Sequence, residues 1–160
     1  MTSQQGLTGM STVETSGKLD LESRQTFFTQ AEVELKRAER YRVFVSLVVL
    51  DVSAIQRLDD SERELASFEI EKLVKASIRG CDYYSICGRG CLMALFPETS
   101  RQGAEIAGKR LSEKIRAKLS ALTNNRIDEV VPLEMASYPD AAGAQSVATL
   151  LHDLAHRSRN

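Results

Sequence analysis

The side chains in this sequence that could carry chemistry are few and mostly isolated. Asp51 closes the apolar run LVVLD as a single carboxylate. In RGCD, Arg79 and Asp82 stand three residues apart, so a planar guanidinium fork lies beside a carboxylate acceptor. That pair could meet a ligand. Equally, Arg79 could answer the dipole of a helix ending there, with Asp82 as its turn acceptor or ion partner. The spacing R-x-x-D selects nothing by itself, because Arg57-Leu58-Asp59-Asp60 also satisfies it. Cys81, Cys87 and Cys91 match no common zinc spacing, and His152 and His156 lie far from them in the chain. Reduced thiols serving as small core residues are expected, with no metal and no cofactor. The segment CGRGCLMALFPETS, residues 87–100, reads as a β-hairpin turning at Gly88-Arg89-Gly90, and its turn carries no acid.

These residues need elements to hold them. Residues 1–17 are rich in Ser, Thr, Gly and Gln without periodicity and read as a flexible tail, leaving 18–160 as one domain. Phe27, Phe28, Ala31, Leu35 and Ala38 fall at helical spacing, in a helix starting near Asp20 or Ser23. VFVSLVVLDV is nearly all apolar, as in a strand covered on both faces. A second helix follows Asp59-Asp60, with Ala66, Ile70, Leu73, Val74 and Ser77 as its inner stripe, Phe68 off it, and a stop at Arg79-Gly80. After the hairpin, Pro97 ends the strand and Thr99 or Ser100 caps a third helix, about 101–122. Its inner face carries Ala104, Ala107, Gly108, Leu111, Ile115 and Leu122, with Lys109, Arg110 and Lys114 off it. TNNRIDE is a loop, 130–138 a strand, and about 146–156 a last helix. The order predicts an α+β fold, a mainly antiparallel central sheet flanked by helices.

Composition narrows the function. The chain has 160 residues, 42% apolar and 27% charged, which suits one soluble domain. A formal net charge of −1 argues against a general nucleic-acid binder, though a local basic site for a small anionic ligand is compatible with it. No apolar run approaches the ~20 residues of a membrane span. No basic stretch followed by an apolar core opens the chain, so cytoplasm is the expected compartment and no membrane insertion is expected.

Four strings in order resemble the GGDEF domain of the diguanylate cyclase family, across about 19–155. LESRQTF resembles the family's "LpNRraF". LVVLDVSAIQRLDD resembles "LllLDiDhFKxiND". RGCDYYSICGRGCLMALFPETS aligns without a gap on "RxsDxxxRyGGDEFalLlPeT", and MASYP on "GvAsyP". Gly88-Arg89-Gly90-Cys91-Leu92 stands at the signature, so its acid pair is replaced by Gly90 and Cys91. By resemblance, Asp51 matches the family's first metal carboxylate and Asp59 its guanine-contacting Asn. DSERELA replaces a longer glycine-containing loop, and the phosphate-binding Lys of "ADxALYxAK" has no placed counterpart.

The resemblance implies a bacterial signalling domain in which cyclase chemistry is lost. Phosphoryl transfer relies on metal ions that bridge phosphates, and magnesium wants several hard oxygen ligands. Asp51 alone cannot hold two such ions, and a thiol at Cys91 is a poor substitute. Arg89 would also fill space that family glycines leave to the phosphates. No enzyme activity is therefore expected. Many members carry a second, inhibitory site for cyclic di-GMP marked by R-x-x-D before the hairpin. Arg79 and Asp82 stand in that register, and Arg110 matches a further arginine of that site on the following helix. An arginine fork can meet guanine O6 and N7, a carboxylate can accept from N1–H and N2–H, and a second arginine can meet phosphate. The resemblance thus implies a cyclic di-GMP receptor that signals through a protein partner or a ligand-linked homodimer. The other reading is a protein–protein interaction module that binds no nucleotide.

Overall fold

The computed structural model describes residues 23–87 and 90–157. The expected tail, 1–17, and the turn residues Gly88 and Arg89 lie outside them. Helix α1 covers 23–41. It is followed by β1 (Val45–Asp51), a 3₁₀ turn (Ser53–Arg57), α2 (Asp60–Ser77), β2 (Tyr83–Cys87), β3 (Cys91–Pro97), α3 (Arg101–Leu122), β4 (Leu133–Tyr138) and α4 (Val147–Arg157). The strands form one sheet in the order β2-β3-β1-β4, every neighbouring pair antiparallel.

The alternation of side chains along a strand explains the layers. Val48 and Leu50 of β1, with Leu92 and Ala94 of β3, face α2 and α3, packing on Ile70, Val74, Leu111 and Ile115. Leu47 and Val49, with Met93 and Leu95, face the opposite way, onto Phe27, Ala31, Leu150 and Leu154 of α1 and α4. Because helices cover both faces, β1 is buried along its length up to Asp51, as its unbroken apolar run predicts. Truncating Leu47 or Leu50, neither of which is exposed, would cost about 2–5 kcal/mol each.

Several expectations need correction. Helix α2 stops at Ser77, before Arg79-Gly80. Ile78 turns to extended backbone (φ −105°, ψ 162°) and packs its side chain against the α2–α3 face of the core, so Gly80 is not the terminator. Ser77 is exposed and donates to Leu73 O at 2.7 Å. Strand β4 begins at Leu133, not Val130. Val130 is 78% exposed, and Pro132 has no N–H to donate, although its carbonyl accepts from Asp51 N at 3.0 Å. Cys81 is exposed in a turn, so it is not a core residue, whereas Cys91 is half-buried and packs against the α1–α4 face of the core. Among the described residues, no helix is long and apolar enough to cross a membrane.

The antiparallel register gives the sheet two distinct ends. At one, Asp51 of β1 faces Cys91 of β3. At the other, Val45 lies opposite Pro97, the β3–α3 corner follows, and the α2–β2 turn stands beside it. Ser46 ties this second end together. Its hydroxyl donates to Thr99 O at 2.8 Å and lies 2.8 Å from Ser137 Oγ.

Candidate ligand site at the α2–β2 and β3–α3 corners

Residues Arg79–Asp82 form a closed turn. Asp82 N donates to Arg79 O at 3.0 Å, and Arg79 N donates back to Asp82 Oδ2 at 2.7 Å. The guanidinium then grips the same carboxylate, through Nε to Oδ2 at 3.2 Å and Nη2 to Oδ1 at 2.8 Å. Nη2 also donates to Thr99 Oγ1 at 2.7 Å and Pro97 O at 3.1 Å. Arg79 therefore bridges the two corners. The hydrogen bond to Asp82, then the surrounding negative charges, outweigh burial and hold the guanidinium above its ordinary pKa. It stays charged at any working pH.

The two partners differ in access. The Arg79 side chain is 54% exposed, whereas that of Asp82 is 1% exposed. Arg79 Nη1 makes no hydrogen bond with the described residues, so its N–H donors remain available to a ligand, while Nη2 is spent on Asp82, Thr99 and Pro97. The Asp82 carboxylate is spent on Arg79. In this arrangement it acts as a clamp, and it can accept from a ligand only if Arg79 swings away. Arg110 lies exposed on α3 and makes no hydrogen bond or ion pair with Arg79 or Asp82. It is ten residues beyond Ser100, which is about 15 Å of helix rise. Of the three expected site residues, the structure brings two into contact and leaves the third apart.

Thr99 is the site residue that sequence reasoning missed. Both Thr99 and Ser100 looked like helix caps. Ser100 takes that role, accepting from Gly103 N at 3.3 Å, and the Thr99 hydroxyl turns to Arg79. Glu98, with a left-handed φ of 52°, forms the bend and pairs with Arg37 at 3.4 Å. A polar residue just after a strand-ending proline is the available sequence signal, but it does not reveal a partner twenty positions earlier.

The opposite end of the sheet holds Asp51, Asp59, Gly90 and Cys91. Asp51 Oδ1 accepts from Ser53 N at 2.9 Å, and Asp59 caps α2 by accepting from Glu62 N at 2.8 Å. Gly90 adopts φ +96°, and its carbonyl accepts from Val52 N at 2.7 Å. A Cβ on Gly90 would lie 2.4 Å from Ser53 Cα and 2.6 Å from Ser53 N, so the backbone leaves no room for a side chain. A cavity of about 370 Å³ opens beside Asp51, Gly90 and Cys91, edged by Arg157 in an ion pair with Glu134 at 3.1 Å. One carboxylate facing one thiol does not fit magnesium, which takes several oxygen donors in octahedral geometry. Among the described residues, no group of three His, Cys, Asp or Glu side chains is placed to hold a metal ion.

No family model matches the sequence, and no curated protein matches it. Solved structures do match. The GGDEF domain of YfiN (TpbB) from Pseudomonas aeruginosa aligns with a TM-score of 0.61 at 20% identity, over 81% of this chain and 83% of that one. The GGDEF domain of DgcB from Caulobacter crescentus, solved in complex with cyclic di-GMP, aligns with a TM-score of 0.57 at 13% identity, over 83% and 84%. PelD 156–455 from P. aeruginosa, in its apo form, aligns with a TM-score of 0.51 at 22% identity, over 85% of this chain and 46% of that one. These identities establish architecture, and the α+β order and antiparallel sheet agree with it: the chain has the GGDEF-domain fold.

Proposed function

We propose that this chain is a GGDEF-like receptor that binds cyclic di-GMP and does not synthesise it. The observation that carries the reading is the Arg79–Asp82 turn, a clamped, half-exposed guanidinium with Nη1 uncommitted, at the second end of the sheet. DgcB, which has the same fold, was solved with cyclic di-GMP bound. Arg79 would meet a guanine edge or stack on the base, Asp82 would hold it in place, and Arg110 would approach a phosphate of the bound dinucleotide. The lack of synthesis is supported by Gly90, pressed onto the Val52–Ser53 backbone where the family carries an acid, and by Cys91 opposite Asp51. Without a carboxylate pair to hold metal ions, the charge that develops in phosphoryl transfer would go unneutralised. Ligand occupancy would be passed to a protein partner or a second copy of the domain in the cytoplasm.

Thermal unfolding tests this. A ligand at about 100 times its Kd stabilises the folded state by ~2.7 kcal/mol, so saturating cyclic di-GMP should raise Tm by several degrees. GTP with magnesium or manganese should give no turnover. An unchanged Tm with the dinucleotide would overturn the receptor reading, and turnover would overturn the loss of activity. A second reading, a module for protein contacts alone, is favoured by the exposed Leu65 and Phe68, one turn apart on α2 and 50% and 62% exposed. An unchanged Tm with both nucleotides in a folded sample would select it.

A further inference from the structure

We infer that Thr99 is the positioning residue of the Arg79 site, an inference that rests on the proposed cyclic di-GMP reading. Its hydroxyl is used in both directions. It donates to Pro97 O at 3.0 Å and accepts from Arg79 Nη2 at 2.7 Å. The proton of the Thr99 hydroxyl is thereby committed to Pro97, and its oxygen is aimed at Arg79. Asp82 alone would fix the guanidinium only against its own turn. The second anchor comes from a different element, eighteen to twenty residues away, and opposes rotation about the Arg79–Asp82 contact. There Thr99 Oγ1 makes the shorter of two contacts with Nη2, at 2.7 Å, and Pro97 O the longer, at 3.1 Å.

The mount for Thr99 is itself rigid. Its carbonyl accepts from the buried Ser46 hydroxyl at 2.8 Å, and Ser100 beside it caps α3. With Nε and Nη2 both held, Nη1 and the ring-like face of Arg79 keep one orientation before the ligand arrives. Preorganisation of this kind raises affinity because less ordering is left to binding. Thr99 touches no ligand in this scheme. It acts through Arg79.

The test compares Thr99→Val, which keeps the shape and removes the hydroxyl, with Thr99→Ser, which keeps the hydroxyl. Calorimetric titration with cyclic di-GMP should show Thr99→Val weaker by about fivefold to tenfold, the effect of one ordinary hydrogen bond with Pro97 O still in place, and Thr99→Ser close to wild type. Equal affinities of wild type and Thr99→Val would overturn the inference, as would failure of Thr99→Ser to restore binding. A second readout needs no ligand. The Arg79 Nε–H resonance of the apo protein should exchange with water faster in Thr99→Val and at the wild-type rate in Thr99→Ser. Unchanged exchange in Thr99→Val overturns the positioning role even if the wild type binds no dinucleotide, a result that would separately refute the receptor reading.

Discussion

Replacing Gly90 with Ala should damage this domain far more than an exposed-loop substitution normally does. Two costs add. Holding a residue with a Cβ at φ +96° costs on the order of 1–3 kcal/mol. The new methyl would also sit 2.4 Å from Ser53 Cα, a backbone atom that cannot rotate away, and relief by shifting a packed chain costs about 1–3 kcal/mol. That shift puts the 2.7 Å bond from Val52 N to Gly90 O at risk, worth about 1 kcal/mol. These effects overlap, so about 3–4 kcal/mol is expected, a large part of the ~5–15 kcal/mol that folds a typical domain. In urea, with an m-value of about 2 kcal/mol/M, the unfolding midpoint should fall by roughly 1.5–2 M. Gly80→Ala is the control, because its φ is not left-handed and a Cβ there meets nothing within 4 Å. Its effect should stay within about 0.5 kcal/mol. If Gly90→Ala shifts the midpoint no more than Gly80→Ala, the close packing is wrong, and the space for an acid at the signature turn is open after all.

Arg79→Ala leaves a carboxylate that is 1% exposed without its guanidinium, keeping the bond from the backbone N–H of residue 79, and should cost about 1–3 kcal/mol; no loss in denaturant melts would refute the clamp. Ser46→Ala removes the hydroxyl that serves Thr99 O and Ser137 and should cost about 1–2 kcal/mol, with no loss in the same melt counting against the buried contact. Burial, then the charge and hydrogen bond of Glu71, push the Tyr84 phenol above its ordinary 10.0. The folded state holds that proton more tightly, so the contribution is complete below pH 10 and lost as pH rises through the raised value. Tyr84→Phe should flatten that alkaline fall in stability, and an unchanged slope would show that Tyr84 does not cause it.

Much of the architecture was legible because burial leaves a periodic trace. The unbroken run of β1 announced a strand covered twice, and Ala104, Leu111 and Ile115 announced the inner face of α3. Ends were harder. Gly80 looked like a helix stop, but the chain leaves α2 earlier because Ile78 packs into the core. Val130 and Val131 looked like strand residues, yet Pro132 delays the ladder. The candidate site was half legible. Arg79 and Asp82 are close in sequence, so their pairing could be anticipated. The anchoring of Arg79 by Pro97 and Thr99 depends on a corner eighteen to twenty residues away, which local patterns do not encode. Similarly, the sequence records only that position 90 is a glycine. Only the approach of Ser53 explains why a side chain has no place there.

The central claim is tested most directly by calorimetric titration of the purified protein with cyclic di-GMP, alongside Arg79→Ala and with GTP as the control nucleotide. Wild type should bind the dinucleotide with micromolar or tighter affinity, and a folded Arg79→Ala protein should lose that binding. No heat with wild type, or equal affinity in Arg79→Ala, would contradict the claim.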